Sequence, residues 1–209
     1  MALNKIDIGT ELGKGWTLFK DNMSLLIVAG LLATLVAVVT CGILAGPLTA
    51  GMFLILDRLM RNDPVKPQAG DVFKGFDFFV QTLLLVIIAL VISFVLAMIP
   101  VVGQLAGIAV GAVMMWAMMF VTYQKLTAID ALKKVFEHAK TGEFTMPLVL
   151  ALLANIISGL GVIACGVGVF FTIPLSYCML ACCYQSVFGA DSAVIEPEVI
   201  PPPPSDLRL

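Results

Sequence analysis

The sequence predicts an all-α, polytopic membrane protein: six transmembrane helices in three hairpin repeats, each preceded by a cytoplasmic-side amphipathic interfacial helix. Three observations carry this. The 12 Lys and Arg and the 14 Asp and Glu all fall outside three stretches, 22–56, 78–124 and 144–190. Apolar residues make up 60% of the chain and charged residues only 12%, against roughly 45 to 50% and 25% in soluble domains. A pattern also recurs every 60 residues ahead of each uncharged stretch.

A charged side chain at the centre of a membrane helix costs roughly 2.5 to 3.5 kcal/mol, so the uncharged stretches are the lipid-facing polypeptide. Each suits two crossings at about 20 residues per ~30 Å core. Turning residues divide them into spans 23–40, 43–60, 79–98, 105–123, 146–164 and 167–188, with turns at Cys41-Gly42, 100–104 and Cys165-Gly166. The first hairpin is short and carries Asp57 and Arg58 into the headgroup region; a re-entrant hairpin is its alternative. The first 21 residues, with Lys5, Asp7, Glu11, Lys14, Lys20 and Asp21, are too polar for the apolar core of a signal sequence, so the first span is expected to direct insertion.

Paired crossings gather every charge on one side. Lys and Arg in short flanks stay cytoplasmic, which places both termini on the cytoplasmic side. The repeats run over about 8–60, 68–125 and 128–189 within a membrane domain of 1–189. Leu12, Val72 and Leu132 share a phase, as do Lys14, Lys74 and Lys134, and Trp16, Phe76 and Phe136. In the first unit Ile8, Leu12, Trp16 and Phe19 form an apolar stripe, with Glu11, Lys14 and Lys20 on the other faces; Ile129, Leu132, Phe136 and Ala139 form the matching stripe in the third. Such helices lie in the headgroup plane with aromatics at the interface. Pro47-Leu48-Thr49 with Met52 is echoed by Pro174-Leu175-Ser176 with Met179, at an offset of 127. Units in one orientation imply threefold repetition about the membrane normal. Residues 190–209, with four prolines at 201–204, read as a solvated, disordered cytoplasmic tail; a polyproline docking segment is the other reading.

The segments Gly46-Pro47-Leu48-Thr49-Ala50-Gly51, Leu59-Met60-Arg61-Asn62-Asp63 and Asp71-Val72-Phe73-Lys74-Gly75-Phe76 resemble the membrane domain fused to some bacterial glycerophosphodiester phosphodiesterases, and related stand-alone bacterial membrane proteins. The resemblance runs over 8–188. It implies a six-helix, non-catalytic module of the inner membrane. The phosphodiesterase activity does not carry over, because in that family it belongs to a separate soluble barrel with acidic metal ligands.

Chemistry is sparse. A net charge of −2 without a basic aromatic cluster argues against nucleic-acid binding. His138 is the only histidine and is expected on the solvated face of the third amphipathic helix. HExxH, Walker and GxSxG motifs are missing from the sequence, and no catalytic residue, cofactor or metal is expected. Cys178, Cys182 and Cys183 read as packing residues, whereas Cys41 and Cys165 fall at outward turns where a disulfide could clasp the first and last repeats. Asn155 is the most polar mid-span residue, suited to an interhelical hydrogen bond or a solute path. Gly30, Gly46, Gly51, Gly107 and Gly111 read as close-approach positions, and Pro47 and Pro174 as helix kinks. Met114, Met115, Met118 and Met119 share a helical face that favours packing over soft-metal binding. The expected contacts are therefore membrane lipids, a second copy or a cytoplasmic protein; the alternative is a small transporter or channel for a neutral or apolar solute.

Overall fold

The computed structural model describes residues 8–99, 102–140, 145–163 and 168–189. Among these, all regular structure is helical: α1 (Ile8–Asp21), α2 (Met23–Val39), α3 (Ala45–Met60), a 3-10 helix (Ala69–Phe78), α4 (Phe79–Ala97), α5 (Val102–Gln124), α6 (Ala128–Lys140), α7 (Thr145–Ile163) and α8 (Val169–Phe188). The helices of the uncharged stretches begin and end within a few residues of the expected boundaries. Cys165 and the tail 190–209 lie outside the described residues.

Three of these helices are long and apolar enough to cross a membrane, or five if each bent pair counts as one span, against the six expected. The pairs are α1 with α2, bent by 88°, and α6 with α7, bent by 117°. The shortfall lies mainly in the first hairpin. With 16 residues, α3 is roughly 24 Å long, less than a hydrocarbon core. It can be short because protein encloses it: from Gly46 to Asp57 all but Thr49 and Leu54 are buried, so little of it has to match lipid. The α2–α3 turn closes with Gly42 at φ 82° and its N–H on the Ala37 carbonyl, while Cys41 takes φ 51°.

Lipid supplies little hydrophobic drive for helix association, so close packing at small residues has to. A side-chain carbon at Gly46 would stand 2.9 Å from the Thr82 carbonyl oxygen of α4, and one at Gly30 would stand 3.0 Å from Pro174 of α8. Gly107 has open space around it, so its expected close approach does not occur among the described residues. Where α3, α5 and α8 meet, Phe53, Trp116, Phe120, Tyr123, Tyr177 and Tyr184 fill the interior. Tyr123 donates to the Phe53 carbonyl at 3.1 Å, and Trp116 donates to the Pro147 carbonyl at 3.1 Å, tying α5 to α3 and α7.

Candidate functional site

The three amphipathic segments pack on three different helices: α1 on α8, the 3-10 helix on α3, and α6 on α5. Each turns a small or β-branched residue inward and its neighbour outward. Gly15, Gly75 and Val135 are buried, while Trp16, Phe76 and Phe136 are 49%, 36% and 55% exposed. A side-chain carbon at Gly15 would stand 2.7 Å from the Met179 Cα, and one at Gly75 would overlap the Pro47 carbonyl and the Gly51 amide. The line that α1 buries is thus Glu11, Gly15 and Phe19, not the stripe of Ile8, Leu12 and Trp16. Leu12 and Leu132 are half-buried and Val72 is fully buried.

The 3-10 form explains how the middle segment serves both sides. At three residues per turn, Ala69, Val72, Gly75 and Phe78 share one line, with Val72 and Gly75 buried. Phe73, Phe76 and Phe79 share another, their rings 6.2 Å and 6.1 Å apart. A capping box between Gln68 and Asp71 starts the segment.

Charged groups cluster at the same end. Glu11 is buried between α1 and α8, where Oε1 accepts from Lys14 at 2.7 Å and from Ser186 at 3.0 Å. Its Oε2 has no hydrogen-bond partner among the described residues. Asp71 repeats the spacing, pairing with Lys74 at 2.8 Å and with Arg58 at 3.0 Å; Arg58 also reaches Asp63 at 3.2 Å. Burial pushes the Asp71 carboxyl up, but Lys74, the Gln68 amide and Arg58 together hold it below its ordinary value. Lys134 departs from the pattern: it donates to Gln124, which donates to Tyr184 at 2.8 Å, and it lies 5.3 Å over the Phe120 ring. His138 is not on an open solvated face. Its ring meets Phe188 edge-on at 5.4 Å, with Nδ1 on the Lys134 carbonyl.

Sequence reasoning missed the buried Glu11 and the seam glycines Gly15 and Gly75. Their signal was the 60-residue period itself, since both the acid–Lys spacing and the glycine recur from the first unit to the second.

At the opposite end of the spans two cavities flank α3. One of about 370 Å³ lies between α2, α3 and α8, lined by Gly30, Ala33, Ala37, Thr49, Met52 and Tyr177 among others. The other, about 220 Å³, lies between α3, α4, α5 and α7, lined by Gly111, Met114, Met115, Met118 and Asn155, and shares Ala45 and Thr49 with the first. Asn155 donates to the Ala151 carbonyl of its own helix at 2.9 Å rather than across to a neighbour, with Oδ1 beside Gly111. Pro174 lies inside α8, but Pro47 occupies the first turn of α3. There a proline removes no intrahelical bond, so Pro47 opens a helix instead of kinking one. Cys41 is exposed at its turn, while its proposed disulfide partner Cys165 is outside the described residues.

No family model, no curated protein and no solved structure matches this chain.

Proposed function

We propose that this is a non-catalytic multi-pass protein of the bacterial inner membrane that acts by contact with lipid through an aromatic collar at its cytoplasmic face. In this reading six spans form three repeated units with both termini inside, as the resemblance to the phosphodiesterase-associated membrane domain implies. The observation that carries it is the shared outward phase of Trp16, Phe76 and Phe136, each beside an inward Gly15, Gly75 or Val135. Aromatic rings beside lysines suit the boundary between headgroups and acyl chains. The order of docking supports threefold repetition, since each amphipathic segment rests on the second helix of the preceding hairpin and α1 closes the ring on α8. His138 is engaged by Phe120 and Phe188 in holding α6, which fits a structural role.

Anionic headgroups would meet Lys14, Lys74 and Lys133 at this collar. Titrating the detergent-purified protein with phosphatidylglycerol should raise its melting temperature, and replacing Trp16, Phe76 and Phe136 together by Ser should abolish that rise. Indifference of the unmodified protein to anionic lipid, together with no lipid retained on purification, would remove the reading.

A solute path is favoured by one observation, the two cavities that share Thr49. The aromatic side chains filling the charged half weigh against a continuous route. Flux of small neutral solutes into proteoliposomes above that of empty vesicles would reverse this preference.

A further inference from the structure

The larger cavity has a shape that says what it holds. Its α2 lining runs from Gly30 to Cys41 and its α3 lining from Gly42 to Met52, so at 1.5 Å per residue the slot is roughly 16 Å long. Its volume of about 370 Å³ is spread along that length as an elongated slot, which suits an extended alkyl chain better than a compact solute. The walls are small and carry no charge: Gly30, Ala33, Ala37 and Ala45, with Leu48 and Met52 at the floor. The hydroxyls are already engaged. Thr34 donates to the Gly30 carbonyl at 2.7 Å, and Thr49 and Tyr177 face each other at 3.5 Å. An occupant therefore meets mainly methyl and methylene groups. The slot opens at the Cys41-Gly42 turn, at the uncharged end, where Val38 and Cys41 are exposed.

We propose that the slot between α2, α3 and α8 is a binding site for one acyl chain of a membrane phospholipid, entering from the leaflet at the uncharged end. The headgroup stays at the Cys41-Gly42 turn and the chain's methyl end reaches Tyr177. This rests on the membrane reading but not on the collar, which lies at the other end of the spans. Displacing a bound chain leaves an unfilled gap beside α3, so lipid occupancy stabilises the first hairpin, the shortest part of the fold.

The test is a phosphatidylethanolamine with a diazirine at the methyl end of one acyl chain, photolysed in liposomes of phosphatidylethanolamine and phosphatidylglycerol that contain the full-length protein. Tyr177 is half-buried and lines the slot, deeper than the exposed Val38 and Cys41 at its mouth. Adducts at Tyr177 are expected, falling several-fold in Ala37→Phe and in Ala33→Leu. Adducts on the outward α4 residues Val91 and Phe94 should be unchanged, which shows that each variant is folded and inserted. Labelling confined to α4, labelling at Tyr177 that both variants leave intact, or labelling by a diazirine fatty acid but not by the phospholipid would each overturn the proposal. Loss of the α4 adducts as well would instead count against membrane insertion.

Discussion

Gly75 and Pro47 bring the backbones of the 3-10 helix and α3 into direct contact: a side-chain carbon on Gly75 would occupy the space of the Pro47 carbonyl oxygen. The obstacle is backbone on a buried helix, which cannot swing aside as a side-chain end can.

Gly75→Val is therefore expected to destabilise the protein by about 1 to 3 kcal/mol or more, the range for overpacked interiors. Gly13→Ala, in α1 with nothing within 4 Å of the added carbon, should stabilise it by about 0.5 to 1 kcal/mol. Melting curves in one detergent compare the two; equal effects would mean that the seam is looser than described.

Glu11 and Lys14 give an asymmetric pair of predictions. The Glu11 side chain is 5% exposed and that of Lys14 is 52% exposed. Lys14→Met leaves a buried carboxylate with Ser186 alone and should cost about 2 kcal/mol or more. Glu11→Met removes a carboxylate whose Oε2 has no partner among the described residues and should be near neutral. The reverse order, measured by thermal unfolding, would contradict the burial assigned to Glu11.

Helix existence and extent were legible because membranes penalise charge so heavily that uncharged stretches and their Gly and Pro turns could be read directly. The facing of the amphipathic segments was not. In a soluble protein an apolar stripe turns inward, but here Trp16 and Phe136 face outward, where the proposed collar would meet lipid, and Gly15 offers the closer approach to α8. Apolar character cannot separate those two surroundings, whereas side-chain size can. The slot was illegible for a related reason: Gly30, Ala33 and Ala37 could equally have closed tightly on a neighbour. The short α3 could be anticipated from Asp57 and Arg58, yet its full enclosure depends on contacts with α2, α4, α5, α8 and the 3-10 helix.

Asp71 sets a pH dependence. Its carboxyl is held below the ordinary value of 3.8, so it contributes stability that is present above that value and is lost as pH falls through the lower folded one. Acid should loosen the 3-10 helix in that window, and Asp71→Asn should remove this part of the dependence. Hydrogen exchange of residues 69–78 across pH 5 to about 2 reads it; identical profiles for both proteins would exclude the pairing with Lys74 and Arg58.

Tyr123→Phe removes the hydrogen bond to the Phe53 carbonyl at 3.1 Å without emptying space, and should cost about 1 kcal/mol. Tyr123→Ala also opens the aromatic interior and should cost about 3 to 5 kcal/mol. If both melted alike, the aromatic interior between α3, α5 and α8 would not be the packed block described.

The most direct measurement of the collar places a single tryptophan at 16, 76 or 136 in turn, with Trp116, and Trp16 where it is not the probe, replaced by Phe. Quenching is then read with lipids brominated at successive depths. All three positions should be quenched most strongly by the shallowest bromines and report one common depth. A position quenched best from the bilayer centre, or not quenched by any lipid, would contradict a single aromatic collar at one face of the membrane.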